Sequence, residues 1–223
     1  LIVHGPAELE TLKRYEISRV KKGDEALERA ITYAKEGKKI LFVCNTVARC
    51  KHYAEKVGDV VETVVYHSRF KYADRIAQHK TVVDRFKEEG SKKGMIALTT
   101  QVAEMSLDLD ADILMTELAP VPALIQRMGR LNRRARPGKQ NEVRPCFVIE
   151  LDAKSTAPYV SVDLDLSNAW IDELGEGNPL SQQDLSQAFR KLDDASQVLE
   201  DVSRSSLIAK PVHVDRGQLR EGG

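Results

Sequence analysis

Short, strongly apolar runs alternate with longer amphipathic stretches along the first 150 residues. KKILFVCN (Lys38–Asn45) has strand length, and TVARCKHYAEKV (Thr46–Val57) follows it with helical spacing. VVETVVYHS (Val60–Ser68) is β-branched and reads as a strand. YADRIAQHKTVVDRFKEEG (Tyr72–Gly90) reads as an amphipathic helix that stops at a glycine. GMIALTT (Gly94–Thr100), ADILMTEL (Ala111–Leu118) and RPCFVIEL (Arg144–Leu151) are further strands. VPALIQRMGRLNRR (Val121–Arg134) is a helix with Pro122 in its first turn.

Helices alternating with buried strands predict an α/β domain, a parallel sheet covered on both faces. It is expected to run from about Tyr15 to Leu151, with Ile40–Cys44, Val61–Tyr66, Met95–Thr99 and Ile113–Thr116 as strands. Past residue 151 the texture changes, and DAKSTAPYVSVDLDLSNAW shows no sustained period. NPLSQQDLSQAFRKL predicts a helix entered after Pro179, with Ser181 and Asp184 in capping-box spacing, and a second polar helix is expected near Asp193–Ser205. Residues 1–150 are thus expected to form one domain, and residues 151–223 a linker with a helical extension.

Composition narrows the picture little. The 34 basic and 34 acidic side chains cancel, which excludes a polyelectrolyte-like nucleic-acid binder. No apolar run reaches the roughly 18 residues of a membrane span, so no membrane association is expected. The three cysteines, Cys44, Cys50 and Cys146, lack ligand-type spacing and suit reduced thiols in a cytoplasm. The chain opens at Leu1 and is expected to be a piece of a longer polypeptide.

Against that neutrality, five arginines crowd the ten residues from Arg127 to Arg136. At about 100° per residue, Gln126, Arg130 and Arg133 fall within roughly 60° of one another, opposite Val121, Leu124, Ile125, Met128 and Leu131. Arg127 and Arg134 share a flanking line. No acid interrupts the stretch from Leu118 to Gln140, and arginine suits forked recognition of phosphate. Gly129, inside the expected helix, points to close packing or close approach of a ligand.

QRMGRLNRR resembles motif VI, QRxGRxxR, of superfamily 2 helicases. ALTTQVAEMSLDLDADILMTELAPVPALIQRMGRLNRR resembles the joined motifs V and VI of the CRISPR-associated type I effector helicases. LFVCNTVARC resembles that family's motif IV segment, and YHSRFKYADR the segment after it. The resemblance covers about residues 38–150 and implies a second RecA-like motor domain.

It implies roles residue by residue. Arg130 and Arg133 match the arginines that reach the γ-phosphate of ATP, with Gln126 nearby. Asp108 matches the motif V acid facing the ribose or the interdomain network, with Asp110 two residues away as the rival. Thr100 matches the motif V threonine that contacts a nucleic-acid phosphate. His67, Ser68 and Arg69 follow a strand and are candidate contacts to single-stranded DNA, with Arg75 as a further backbone contact. Asn45 and Thr46 are candidate phosphate contacts that also suit capping the next helix. All are expected along one edge, beyond the strands' carboxyl ends.

The sequence contains no GxxxxGKS/T loop, no Asp-Glu-x-His or Asp-Glu-Ala-Asp segment, and no His-Asp dipeptide. The implied Mg²⁺ is therefore expected on a first RecA-like domain, and the nuclease chemistry on an HD domain or subunit. The resemblance implies the Cascade effector complex as a partner and ATP-dependent helicase activity in the complete protein, with this chain alone inactive. Another superfamily 2 motor acting on RNA or in repair, and a non-enzymatic RecA-like binding module, are the competing readings.

Overall fold

The computed structural model describes residues 6–70, 72–87, 93–106, 108–138, 142–152 and 156–199. Among them, six strands form one sheet: β1 (Tyr15–Val20), β2 (Lys39–Val43), β3 (Thr63–Tyr66), β4 (Met95–Thr99), β5 (Ile113–Glu117) and β6 (Arg144–Ile149). The order is β1-β6-β5-β2-β4-β3 and every pairing is parallel. The helices are α1 (Ala7–Glu10), α2 (Gly23–Lys35), α3 (Val47–Val57), α4 (Tyr72–Lys87), α5 (Val102–Ser106), α6 (Val121–Met128), α7 (Ser161–Leu174) and α8 (Gln182–Leu199).

Burial explains the apolar runs. β4 and β5 are buried at all five positions, because the sheet is covered on both sides. One face packs Ile40, Phe42, Ile96, Leu98 and Met115 against α2 and α3, through Leu27, Ala30, Cys50 and Tyr53. The other packs Leu41, Val43, Ala97 and Leu114 against Val82, Leu124, Met128, Trp170 and Leu185 from α4, α6, α7 and α8. The expected strands are present with ends shifted by at most two residues, and β4 matches residue for residue.

The stretch after residue 151 departs from its expected texture. α7 buries Leu164, Ser167, Trp170, Ile171 and Leu174, a helical stripe in which the Ser167 hydroxyl donates to Ala119 O at 2.8 Å. The polar residue on the core line hid the period. Trp170 is fully buried and its Nε1–H donates to Leu185 O. Arg19 of β1 donates to Asp172, Glu176 and Asn168 O, which ties α7 to the sheet edge. The capping box is present: Ser181 N–H donates to Asp184 Oδ2 at 2.6 Å, and Asp184 N–H donates to Ser181 Oγ at 3.2 Å. One helix, α8, runs on to Leu199 where a second was expected to begin, and residues 200–205 of that expectation lie outside the described residues.

The arginine helix also ends early. α6 stops at Met128, and Gly129 is its C-cap with φ −62° and ψ −8°. Arg130 and Leu131 N–H groups then reach back three residues, to Arg127 O and Met128 O. Leu131 leaves the helix to form a parallel bridge with Ala111, and Asn132 turns the chain with φ 49°, an angle asparagine tolerates. Arg130 and Arg133 therefore sit on a turn, and the helical-face argument for them fails. Gly129 has helical backbone angles that suit any residue, so it does not by itself stop the helix.

Candidate functional site

Because β2, β4 and β3 are adjacent and in register, the residues that follow them line up. Val43 pairs with Thr99, and Thr99 with Tyr66, so Asn45, Thr100 and His67 share the carboxyl edge of the sheet. The row is mostly closed. Asn45 is 2% exposed; its amide N–H donates to Leu118 O at 2.7 Å and its Oδ1 accepts from Arg127 at 3.1 Å. Expected at a strand phosphate, Asn45 is instead a buried joint between β2 and β5. Thr46 caps α3, accepting from Arg49 N–H at 3.3 Å. Thr100 is fully buried, and among the described residues its hydroxyl meets no hydrogen-bond partner.

His67 is 5% exposed and stacks on Phe70 with ring centroids 4.3 Å apart. Burial and the Lys51 charge hold its pKa below the ordinary value, against the raising effect of its own backbone hydrogen bond, so it is neutral at pH 7. Ser68 and Arg69 are exposed. Arg69, His67, Phe70, Val65, Lys51 and Ala54 border an open pocket of about 460 Å³ beside α3. The side chain of Arg75 lies outside the described residues.

Beneath this row is a buried ionic network. Arg127 is 0% exposed, and its guanidinium donates to Glu104 Oε1 at 2.9 Å, Asn45 Oδ1 at 3.1 Å, Thr116 Oγ1 at 2.8 Å and Glu117 O at 3.1 Å. Its last arm reaches Tyr159 Oη at 3.3 Å. Glu117 is 1% exposed; its Oε2 accepts from Asn45 N–H at 2.6 Å, and its Oε1 pairs with Arg49 at 2.7 Å. Pattern reasoning placed Arg127 on a flanking line and overlooked Glu104, Glu117, Arg49 and Tyr159. The signal available was an acid, Glu117, closing a strand that is otherwise apolar apart from Thr116.

Arg130, Arg133 and Asp108 lie elsewhere. Ala111 N–H donates to Arg130 O, Arg133 N–H donates to Asp110 Oδ1 at 2.7 Å, and Asp112 N–H donates to Lys39 O at the start of β2. These backbone anchors are at the amino end of β2 and β5, about 17 Å along a five-residue strand from the carboxyl edge. The Arg130 guanidinium, however, reaches back to Ala103 O, and Ala103 N–H donates to Thr100 O at 3.0 Å. The expectation of one edge is corrected to two stations joined by α5, because the chain must travel back along the sheet between Thr100 and β5. At this second station the three residues do converge. Arg133 Nε is 3.3 Å from Asp108 Oδ1, both well exposed, at 44% and 69%. Arg130 donates to Ala103 O at 3.1 Å and to Glu104 O at 2.7 Å, so it is seated on the backbone of α5. Burial and the adjacent Arg133 charge lower its pKa while Asp108 opposes them, and a guanidinium so perturbed still stays charged. Gln126 is exposed on α6. Asp110, the rival acid, is held by Arg144 at 3.1 Å and by Arg133 N–H. Asp108 is the acid left facing solvent.

A six-stranded parallel sheet of this order, flanked by helices, defines a RecA-like fold. Residues 36–136 match the family model for the CRISPR-associated nuclease/helicase Cas3, C-terminal. Over that span the chain carries the C-terminal RecA-like helicase domain of the Cas3 family. It is 45% identical over 188 residues to the putative CRISPR-associated nuclease/helicase Cas3 of Myxococcus xanthus, covering 84% of this chain and 24% of that one. To the Methanocaldococcus jannaschii counterpart it is 33% identical over 122 residues, 54% of this chain and 17% of that one. It superimposes on the crystal structure of T. fusca Cas3-ATP with a TM-score of 0.68 at 26% identity, covering 86% of this chain and 25% of that one. The chain thus spans about a quarter or less of the length of these relatives.

Proposed function

We propose that, within its complete protein, this chain is the second motor domain of an ATP-dependent DNA helicase/translocase acting in CRISPR interference. The observation that carries the reading is the second station: Arg133 paired with exposed Asp108, beside Arg130 seated on α5. These groups suit a nucleotide. Arg133 offers a planar fork to phosphate oxygens, and Asp108 offers a carboxylate to a sugar hydroxyl. Gln126 lies exposed on the helix that leads into them. When bound, ATP supplies the phosphoryl group to be transferred. Arg130 and Arg133 hold fixed positive charge where negative charge develops, and Asp108 orients Arg133. Such arginines are worth about 10³–10⁵ in rate.

Among the described residues no group of three or more His, Cys, Asp or Glu is placed to hold a metal ion. This reading assigns Mg²⁺ to the first RecA-like domain. Single-stranded DNA lies across the carboxyl edge, where exposed Ser68 and Arg69 meet its backbone. Thr100, whose buried hydroxyl meets no hydrogen-bond partner among the described residues, is the third member of this edge. An HD nuclease domain or subunit and the Cascade complex complete the assembly, in the cytoplasm. No helix among the described residues is long and apolar enough to cross a membrane.

The test is DNA-stimulated phosphate release by the complete protein. Arg133→Lys keeps the charge but loses the fork, so turnover should fall by about 10³-fold or more at unchanged melting temperature. This chain alone should hydrolyse no ATP above background. Near-normal turnover in both Arg133→Lys and Arg130→Ala would overturn the reading.

A further inference from the structure

The network around Arg127 has two outward ends, and both meet the same short segment. Arg127 Nη2 donates to Tyr159 Oη at 3.3 Å, and Arg49 Nη2 donates to Ala157 O at 3.1 Å. Inward, Arg127 grips the Glu104 carboxylate, whose residue lends its backbone carbonyl to Arg130. One unbroken path of contacts therefore runs Tyr159–Arg127–Glu104–Arg130, and Arg133 and Asp108 stand beside its end. A second path runs Ala157–Arg49–Glu117–Asn45 and returns to Arg127. The segment that starts both paths leads directly into α7, which is pinned to the core by Trp170 and to β1 by Arg19.

We propose that Tyr159 is a positioning residue for the motor site: its hydroxyl, through Arg127 and Glu104, sets the seat of α5 and so the placement of Arg130. The inference rests on the motor reading above. It gives the stretch after β6 a working part in turnover, because a displacement of α7 is delivered to the arginines through this path of hydrogen bonds. Two properties suit the network to this. Arg127 is fully buried, so its five partners fix it in one place. Tyr159 is only half-buried and tops the network from outside, so its hydroxyl is the contact most easily gained or lost.

Tyr159→Phe removes one oxygen and keeps the ring that packs on the core. In the complete protein it should lower kcat of DNA-stimulated phosphate release by about five-fold, the low end of coupling between sites. KM for ATP and the melting temperature should not move. Arg127→Lys should lower kcat further, and adding Tyr159→Phe to it should cost nothing more, because lysine cannot reach both Glu104 and Tyr159. Unchanged kcat in Tyr159→Phe would overturn the inference, as would a fall that tracks a loss of folded protein. So would full additivity of the two substitutions. Arg133→Lys measured in parallel separates the two levels. If Arg133→Lys, together with Arg130→Ala, also turns over normally, the motor reading fails. If Arg133→Lys is inactive while Tyr159→Phe is normal, this inference alone fails.

Discussion

Two arginine–carboxylate pairs, six residues apart along one segment, sit in opposite environments. Arg127 and Glu104 meet at 2.8 Å with exposures of 0% and 14%, whereas Arg133 and Asp108 meet at 3.3 Å with 44% and 69%. The chemistry is the same and the solvent is not. A buried pair holds fixed partners, because breaking it strands a charge in low dielectric. An exposed pair costs little to open, since water and salt replace either partner. The buried pair can therefore hold an element in place, and the open pair can rearrange at little cost. The segment QRMGRLNRR carries both kinds because α6 ends between them.

The sharpest way to break this contrast is to compare rate with stability at the open pair. Arg130→Ala in the complete protein should lower DNA-stimulated turnover by about 10³-fold, the lower end for such arginines. Arg133→Ala should do likewise while changing stability by no more than about 0.5 kcal/mol, as surface substitutions do. Phosphate release and denaturant unfolding together make the check. A large stability loss at Arg133 would put it in the same category as Arg127.

The buried pair should register in stability, where the open pair does not. Arg127→Ala leaves Glu104, Asn45 Oδ1 and Glu117 O without their donor, and should cost about 3–5 kcal/mol in unfolding free energy. Urea titration of this chain reads it directly. A loss under about 1 kcal/mol would mean that water enters and replaces the guanidinium.

The difference between the two pairs also marks what the sequence can disclose. β4 and β5 were legible because burial on both faces writes itself as an apolar run. The Ser181–Asp184 box was legible because its partners stand three residues apart. Arg127 was not, since its partners lie 10 to 82 residues away and burial of an arginine leaves no periodic trace. The end of α6 was hidden for a related reason: Leu131 is drawn off by Ala111, a distant bridge that no local propensity encodes. Motif order still brought Arg130, Arg133 and Asp108 into view, even though the helical face invoked for two of them does not exist.

At the carboxyl edge the contrast predicts a smaller effect. Arg69 is exposed beside buried His67. Arg69→Ala in the complete protein should weaken single-strand binding about equally across sequences. It should also flatten the salt slope by roughly 0.7, one phosphate contact on a single strand. A loss confined to one base sequence would instead indicate base readout at this edge.

The smallest effect belongs to a pair midway between the two extremes. Asp184 faces Lys13 at 2.6 Å, with exposures of 33% and 51%. Burial pushes the Asp184 carboxyl up, but donation from Lys13 and Ser181 outweighs it and holds the pKa below the ordinary value. A carboxyl lowered in the folded state contributes stability above its unfolded pKa, about 3.9. That contribution is lost as pH falls through the lower folded value. Asp184→Asn should therefore reduce stability by at most about 1 kcal/mol at pH 7, given the exposure of the pair. The gap from the unaltered chain should shrink as pH drops below about 4. Urea titrations of both chains at pH 7 and on the acid side, at low and high salt, measure it. A gap that persists undiminished in acid would show that the box at the start of α8 acts through geometry and not charge, and the gradation from buried to exposed pairs would lose its middle case.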